Sequence, residues 1–131
     1  MDALTISAGK WNAQAAIWLM PTMNEDQDYT INDLAYDVQS GACTLIHVEQ
    51  GGEQIANMVL RKDDAEMVVV ALGGHLKKAS LSKVLTPYVE NIARQNGCKS
   101  MRVHFTKEGI ARLAQSAGWK PSEIVYRKTV H

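Results

Sequence analysis

The chain has 131 residues, the usual size of one domain, and folding at that length buries roughly two-thirds of the surface an extended chain exposes. That is enough for a core that needs no disulfide or metal. Fourteen Lys and Arg balance fourteen Asp and Glu, so the charge gives no support for nucleic acid or an anionic membrane surface as a partner.

Residues 4–7 alternate apolar and polar side chains and predict a first strand. Asn12 can cap a helix over residues 13–20, which Pro21 ends. The polar run 24–28 reads as a loop, and Thr30 with Asp33 forms a capping-box start. Behind it Ile31, Leu34, Ala35 and Val38 share one helical face, closed by Gly41. Three strands follow, over residues 43–50, 54–62 and 66–72, with turns at Gly51-Gly52 and Asp63-Asp64. Val68, Val69 and Val70 are continuous and β-branched, the pattern of a strand covered on both faces.

Gly73-Gly74-His75 ends that strand, and a polar loop with Lys77, Lys78, Ser80 and Ser82 leads on. Leu85, Tyr88, Val89 and Ile92 form a helical stripe stopped by Asn96-Gly97. Met101, Val103 and Phe105 alternate with Arg102 and His104, so a strand returns, and strand–helix–strand predicts a parallel crossover. Thr106 can cap a last helix with the stripe Ile110, Leu113, Ala114 and Ala117; Gly118 ends it before a closing strand over 124–130. The exposed edge of that last strand could pair with a second copy, so a homodimer is one arrangement, internal pairing the other.

Cys43 and Cys98 stand apart, with no CxxC pair and no His at ligand spacing, which predicts two buried thiols and no zinc. The longest apolar run, residues 67–72, has strand length and falls far short of a membrane span. No signal-peptide pattern is expected at the N-terminus, and a cytoplasmic location follows.

The order β-α-α-β-β-β-α-β-α-β resembles the GNAT N-acetyltransferase superfamily across nearly the whole chain. Residues 94–99 (Arg-Gln-Asn-Gly-Cys-Lys) with 100–103 (Ser-Met-Arg-Val) resemble that family's helix end and fifth strand. Leu113 followed by Ala117-Gly118-Trp119 is similar to its helix ending in Gly-Phe, and residues 65–72 to the fourth strand of histone-acetyltransferase-type members. The resemblance implies an α/β (α+β) fold in one domain, 1–131: a mixed sheet with an antiparallel N-terminal meander, a parallel crossover and helices on both faces. It implies an acyl-CoA-dependent transfer of an acetyl group to an amine. Small members with altered loops occur in phage genomes, and this chain resembles those as well.

In that family the fourth strand splays from the fifth, and the pantetheine arm of acetyl-CoA pairs with freed backbone groups. Here those groups belong to Val70, Ala71 and Leu72. The loop Arg/Gln-x-x-Gly-x-Gly/Ala then turns N–H groups toward the pyrophosphate, aided by the following helix dipole. The aligned residues 77–82 put Lys77 and Lys78 at its start and Ser80 and Ser82 at the small positions, a departure that narrows the backbone's approach to phosphate. Pro87 bears on the same helix: a start near Ser82 puts a kink at Pro87, whereas Thr86 as cap with Pro87 in the first turn is well formed but begins late.

Glu66 matches the general-base glutamate of histone-type enzymes; the plainer alternative is a solvated carboxylate at a strand start. The family's tyrosine general acid, four residues before Gly-Phe, is replaced by Ala114, leaving Tyr88 and Tyr126 as substitutes only if geometry brings them near. His47 and His104 are each either a base acting through water or a half-exposed strand residue, and His75, in the loop region, is the histidine best placed to face a cofactor. Trp11, Trp18 and Trp119 read as core. The alternative to an active transferase is a non-catalytic GNAT-like protein that uses its surface for a structural or regulatory contact.

Overall fold

The computed structural model describes residues 4–22, 29–75, 85–103, 118–121, 128 and 130. Five strands form one sheet in the order β1 (Leu4–Gly9), β2 (Thr44–Gln50), β3 (Glu53–Asp63), β4 (Glu66–Gly74) and β5 (Ser100–Val103). The first four run antiparallel to their neighbours, and β5 lies parallel to β4, with Glu66 opposite Ser100 and Val69 opposite Val103. Gly51 and Gly52 both take positive φ (62° and 80°), as a two-residue type I′ hairpin requires. The next hairpin turns at Asp64 (φ 53°) and Ala65, one residue beyond the expected position, because Asp63 still pairs with Glu66.

Two helices precede β2. In α1 (Ala13–Leu19) the Asn12 side chain accepts from the Ala15 N–H at 2.8 Å, and a 3₁₀ turn (Met20–Thr22) containing Pro21 ends it. In α2 (Ile31–Gln39) the Thr30 hydroxyl accepts from the Asp33 N–H while the Asp33 carboxylate accepts from the Thr30 N–H, completing the capping box. Between β4 and β5 the chain forms α3 (Thr86–Gln95), and the Lys99 N–H donates to the Ala65 carbonyl at 2.7 Å as it enters β5.

Of the two helix starts the sequence left open, the one with Thr86 as cap is not what forms. Leu85 before it already has helical angles (φ −74°, ψ −37°), no side chain caps the helix there, and the Thr86 hydroxyl accepts instead from Trp119 Nε1 at 2.9 Å. Residues 76–84, which would decide where the helical path begins, lie outside the described residues, as do His104, Phe105 and the expected last helix. Of the expected closing strand, Lys128 and Val130 are described and neither is in a strand; Val130 is exposed.

The sheet carries helices on both faces. Ile46, Val48, Met58, Leu60 and Met67 pack toward α3 through Leu85, Val89 and Ala93. Leu45, Val59 and Ala71 pack on the other face against Ala15 and Leu19 of α1 and Leu34 of α2. The alternation along β2 and β3 divides those two cores. Cys43 is buried and Cys98 half-buried, so only one of the two thiols is as enclosed as expected. Among the described residues no helix is long and apolar enough to cross a membrane.

Candidate functional site

The middle of β4 is where the sheet departs from regularity. Val59 pairs with Ala71, but the next residue, Leu60, pairs with Val69, so Val70 is an extra residue with no opposite number on β3. The side chains record the same bulge. Val69 packs on the α3 face, Val70 and Ala71 both on the α1/α2 face, and Leu72 returns to the α3 face. A bulge bends the strand and sharpens its twist, and such bulges recur beside functional sites. On the other edge, the pairing with β5 reaches Val69, and residues 70–74 have no strand partner there among the described residues. The three residues expected to hold a pantetheine arm, Val70, Ala71 and Leu72, are therefore the bulge and the two that follow it.

Beyond the bulge, Gly73 and Gly74 admit neighbours that a side chain would exclude. A β-carbon built on Gly73 falls 2.1 Å from the Trp18 carbonyl oxygen, so α1 lies with its C-terminal turn directly on β4. Gly74 has φ 126°, and a β-carbon there would fall 2.5 Å from the Ile55 carbonyl oxygen. His75 is pinned by its N–H donating to that carbonyl at 2.8 Å, and its ring meets Trp18 edge-on at 6.0 Å. Trp18 thus forms a wall beside the end of β4. It is not solely a core residue.

Glu66 sits at the start of β4, four residues and roughly 13 Å of strand before the bulge. Its two oxygens are engaged: Oε1 with Arg102 Nη1 at 3.0 Å, Oε2 accepting from the Ser100 hydroxyl at 3.0 Å. Arg102 also reaches Asp63 at 3.4 Å. These contacts tie β4 to β5 across the parallel pair, and they require Glu66, Ser100 and Arg102 to meet through a register that one segment cannot reveal. Lys77, Lys78, Ser80 and Ser82 lie outside the described residues, as do Ala114 and Tyr126. Tyr88 is half-buried in the α3-side core, and burial raises its hydroxyl above the ordinary tyrosine range, so it keeps its proton at neutral pH.

His47 is neither half-exposed nor open to water as a base. It is buried on the α1/α2 face, with Nε2 3.0 Å from the Lys10 carbonyl and Nδ1 3.2 Å from Asn57 Nδ2. Asn57 itself drew no attention in the sequence. An asparagine between Ala56 and Met58, within the otherwise apolar stretch 55–60 of β3, was the available signal, as was Gly73-Gly74 for close backbone approach.

No protein-family model and no curated protein matches the chain. Solved structures do. A GCN5-related N-acetyltransferase from Ralstonia eutropha JMP134 superposes with a TM-score of 0.74 at 14% identity, covering 96% of this chain and 98% of that one. An acetyltransferase from Bacillus subtilis, solved in complex with CoA, gives 0.71 at 15%, covering 98% and 91%. The ribosomal-protein-S18-alanine N-acetyltransferase from Escherichia coli gives 0.69 at 13%, covering 92% and 80%. At those identities the likeness speaks for architecture. This chain has the GNAT N-acetyltransferase fold.

Proposed function

We propose that this protein transfers an acyl group from an acyl-CoA to an amine. The observation that carries the reading is the bulge at Val70, which falls on the segment where the family resemblance puts the pantetheine arm. Neighbours of the same fold solved with CoA support it. The residues present fit such a ligand: the bulge leaves Val70 with no opposite residue on β3 and bends β4 where the arm would lie.

The acyl-CoA supplies an activated acyl group as a thioester. Main-chain groups of Val70, Ala71 and Leu72 hold and orient the arm, so that the amine meets the carbonyl at bonding distance. Lys77, Lys78, Ser80 and Ser82 meet the phosphates, the lysines as point charges and the serines through hydroxyl donors. The amine nitrogen bonds to the acyl carbon as the carbon–sulfur bond breaks; one proton leaves nitrogen and one is taken up by the departing sulfur. Glu66 is the candidate base. To act, it must exchange its bonds to Arg102 and Ser100 for one to a water that reaches the amine. A CoA thioester as co-substrate accords with the cytoplasmic location expected from the sequence.

A second reading, a non-catalytic protein that keeps this fold for a structural or regulatory contact, draws on one observation: both Glu66 oxygens are already committed to holding β5. Thermal melting separates the two. Acetyl-CoA at about 100 times its Kd adds roughly 2.7 kcal/mol and raises the midpoint by several degrees. A midpoint unmoved by acetyl-CoA, succinyl-CoA and free CoA rejects the transferase reading and favours the second.

A further inference from the structure

A polar row crosses the sheet beneath α1. Cross-strand pairing sets Ser7 opposite His47, His47 opposite Asn57, and Asn57 opposite Gly73, so all four positions share the α1/α2 face. Asn57 is fully buried, yet each polar atom of its side chain is bonded. Its Oδ1 accepts from Gln54 Nε2 at 2.6 Å, and its Nδ2 faces both the Ile46 carbonyl and His47 Nδ1 at 3.2 Å. Gln54 Oε1 in turn accepts from Asn12 Nδ2 at 3.1 Å, and Asn12 Oδ1 accepts from the Ala15 N–H that opens α1.

The direction of this chain is set by its ends. The Ala15 N–H can only donate, so Asn12 must present oxygen to it and nitrogen to Gln54. Gln54 must then present nitrogen to Asn57, and Asn57 nitrogen to the Ile46 carbonyl and to His47. Nδ1 of His47 is left as an acceptor, and Nε2 carries the hydrogen donated to the Lys10 carbonyl. No member can flip alone without setting donor against donor. Gly9 is part of the fit, since a β-carbon there would fall 1.9 Å from the His47 ring.

One end of this chain is the cap of α1, and the opposite end of α1 rests on Gly73 and beside His75. With seven residues, α1 is roughly 10 Å long, so a tilt at its cap displaces the Trp18 turn by a comparable angle. We propose that Asn57, with Gln54 and His47, is a positioning residue for the acyl slot: the polar chain fixes where α1 stands, and α1 fixes the wall over the end of β4. The proposal rests on the transferase reading above.

The test uses the full chain with 15N-labelled histidine, amide hydrogen exchange and calorimetric titration of acetyl-CoA. The unsubstituted protein should show His47 as the Nε2–H tautomer. In Asn57→Leu, which leaves His47 Nδ1 without its donor, the Nδ1 resonance should move while Nε2 keeps its hydrogen against the Lys10 carbonyl. Exchange over residues 13–19 should rise at least tenfold while Met58 and Val59 in the sheet centre stay protected, and acetyl-CoA should bind at least fivefold more weakly. Gln54→Ala breaks the same chain at a half-buried position without opening the core, and should produce the α1 exchange and the affinity loss even if Asn57→Leu does not fold. An Nδ1–H tautomer in the unsubstituted protein overturns the proposal, and so does α1 exchange or affinity unchanged in Gln54→Ala. If the unsubstituted protein binds no acetyl-CoA, the transferase reading fails and the slot with it; if it binds and Gln54→Ala binds equally, only the positioning role fails.

Discussion

Gly73→Ala tests whether α1 truly rests on the end of β4. The new β-carbon would fall 2.1 Å from the Trp18 carbonyl oxygen and 2.8 Å from the Trp18 carbonyl carbon. Both are main-chain atoms, so no rotamer change relieves the contact, and the α1 turn must retreat by about 1 Å to restore ordinary packing. Overpacking at a well-filled site costs about 1–3 kcal/mol, and a backbone obstacle belongs at the upper end. Gly52→Ala is the control: it meets nothing within 4 Å, although its φ of 80° makes any side chain strained, at about 1 kcal/mol. Urea unfolding followed by tryptophan fluorescence should therefore place Gly73→Ala below Gly52→Ala in midpoint, with a changed native Trp18 signal. Equal midpoints, or a native spectrum untouched by Gly73→Ala, would refute the contact.

Other consequences are independent of ligand. Thr30→Ala removes the capping box of α2 and should cost about 1 kcal/mol in the same unfolding assay. The Thr30 N–H and hydroxyl hold Asp33 below the ordinary carboxylate range, so its contribution is present above the unfolded carboxylate range and fades as pH falls through the lower folded value; Thr30→Ala keeps the N–H and loses the hydroxyl, and should make that acid limb shallower without removing it. Burial, then the hydrogen bond to Asp37, raises Tyr29 well above the ordinary tyrosine range. That contribution is complete below the usual tyrosine pKa and is lost as pH rises beyond it, so ultraviolet titration should show Tyr29 ionising later than Tyr88, itself delayed by burial, and Tyr29→Phe should remove the later step. Glu66→Gln weakens a partly exposed pair and should cost no more than about 1 kcal/mol. If turnover disappears while the fold and acetyl-CoA binding persist, Glu66 is the base; undiminished turnover leaves it as a clamp between β4 and β5.

How much could be read from residues alone follows the range over which each feature is determined. Asn12, Thr30 with Asp33, and Gly51-Gly52 act on neighbours two or three positions away, and each performs the local task its type implies. The mixed sheet and its parallel crossover followed from element order. The bulge at Val70 was hidden, because 68–72 is apolar throughout and has no alternation for an extra residue to interrupt. His47 looked half-exposed because its partners, Lys10 and Asn57, come from other strands and connections. Thr86 before Pro87 suggested a helix start, yet Leu85 is already helical, and the hydroxyl serves Trp119 from a distant segment. The arrangement of Glu66 with Arg102 and Ser100 likewise depends on strand register.

The central claim is that the β4 edge from Val70 to Leu72 receives an acyl-CoA. Backbone amide NMR during titration with acetyl-CoA addresses it directly. Saturable shifts concentrated at Val70, Ala71 and Leu72, with Gly73 and the Trp18 indole responding beside them, are the predicted result. Shifts confined to the opposite flank, around Arg94, Lys99 and Lys120 where α3 and β5 border a cleft with Trp119, would contradict it, as would unmoved amides along β4 at saturating ligand.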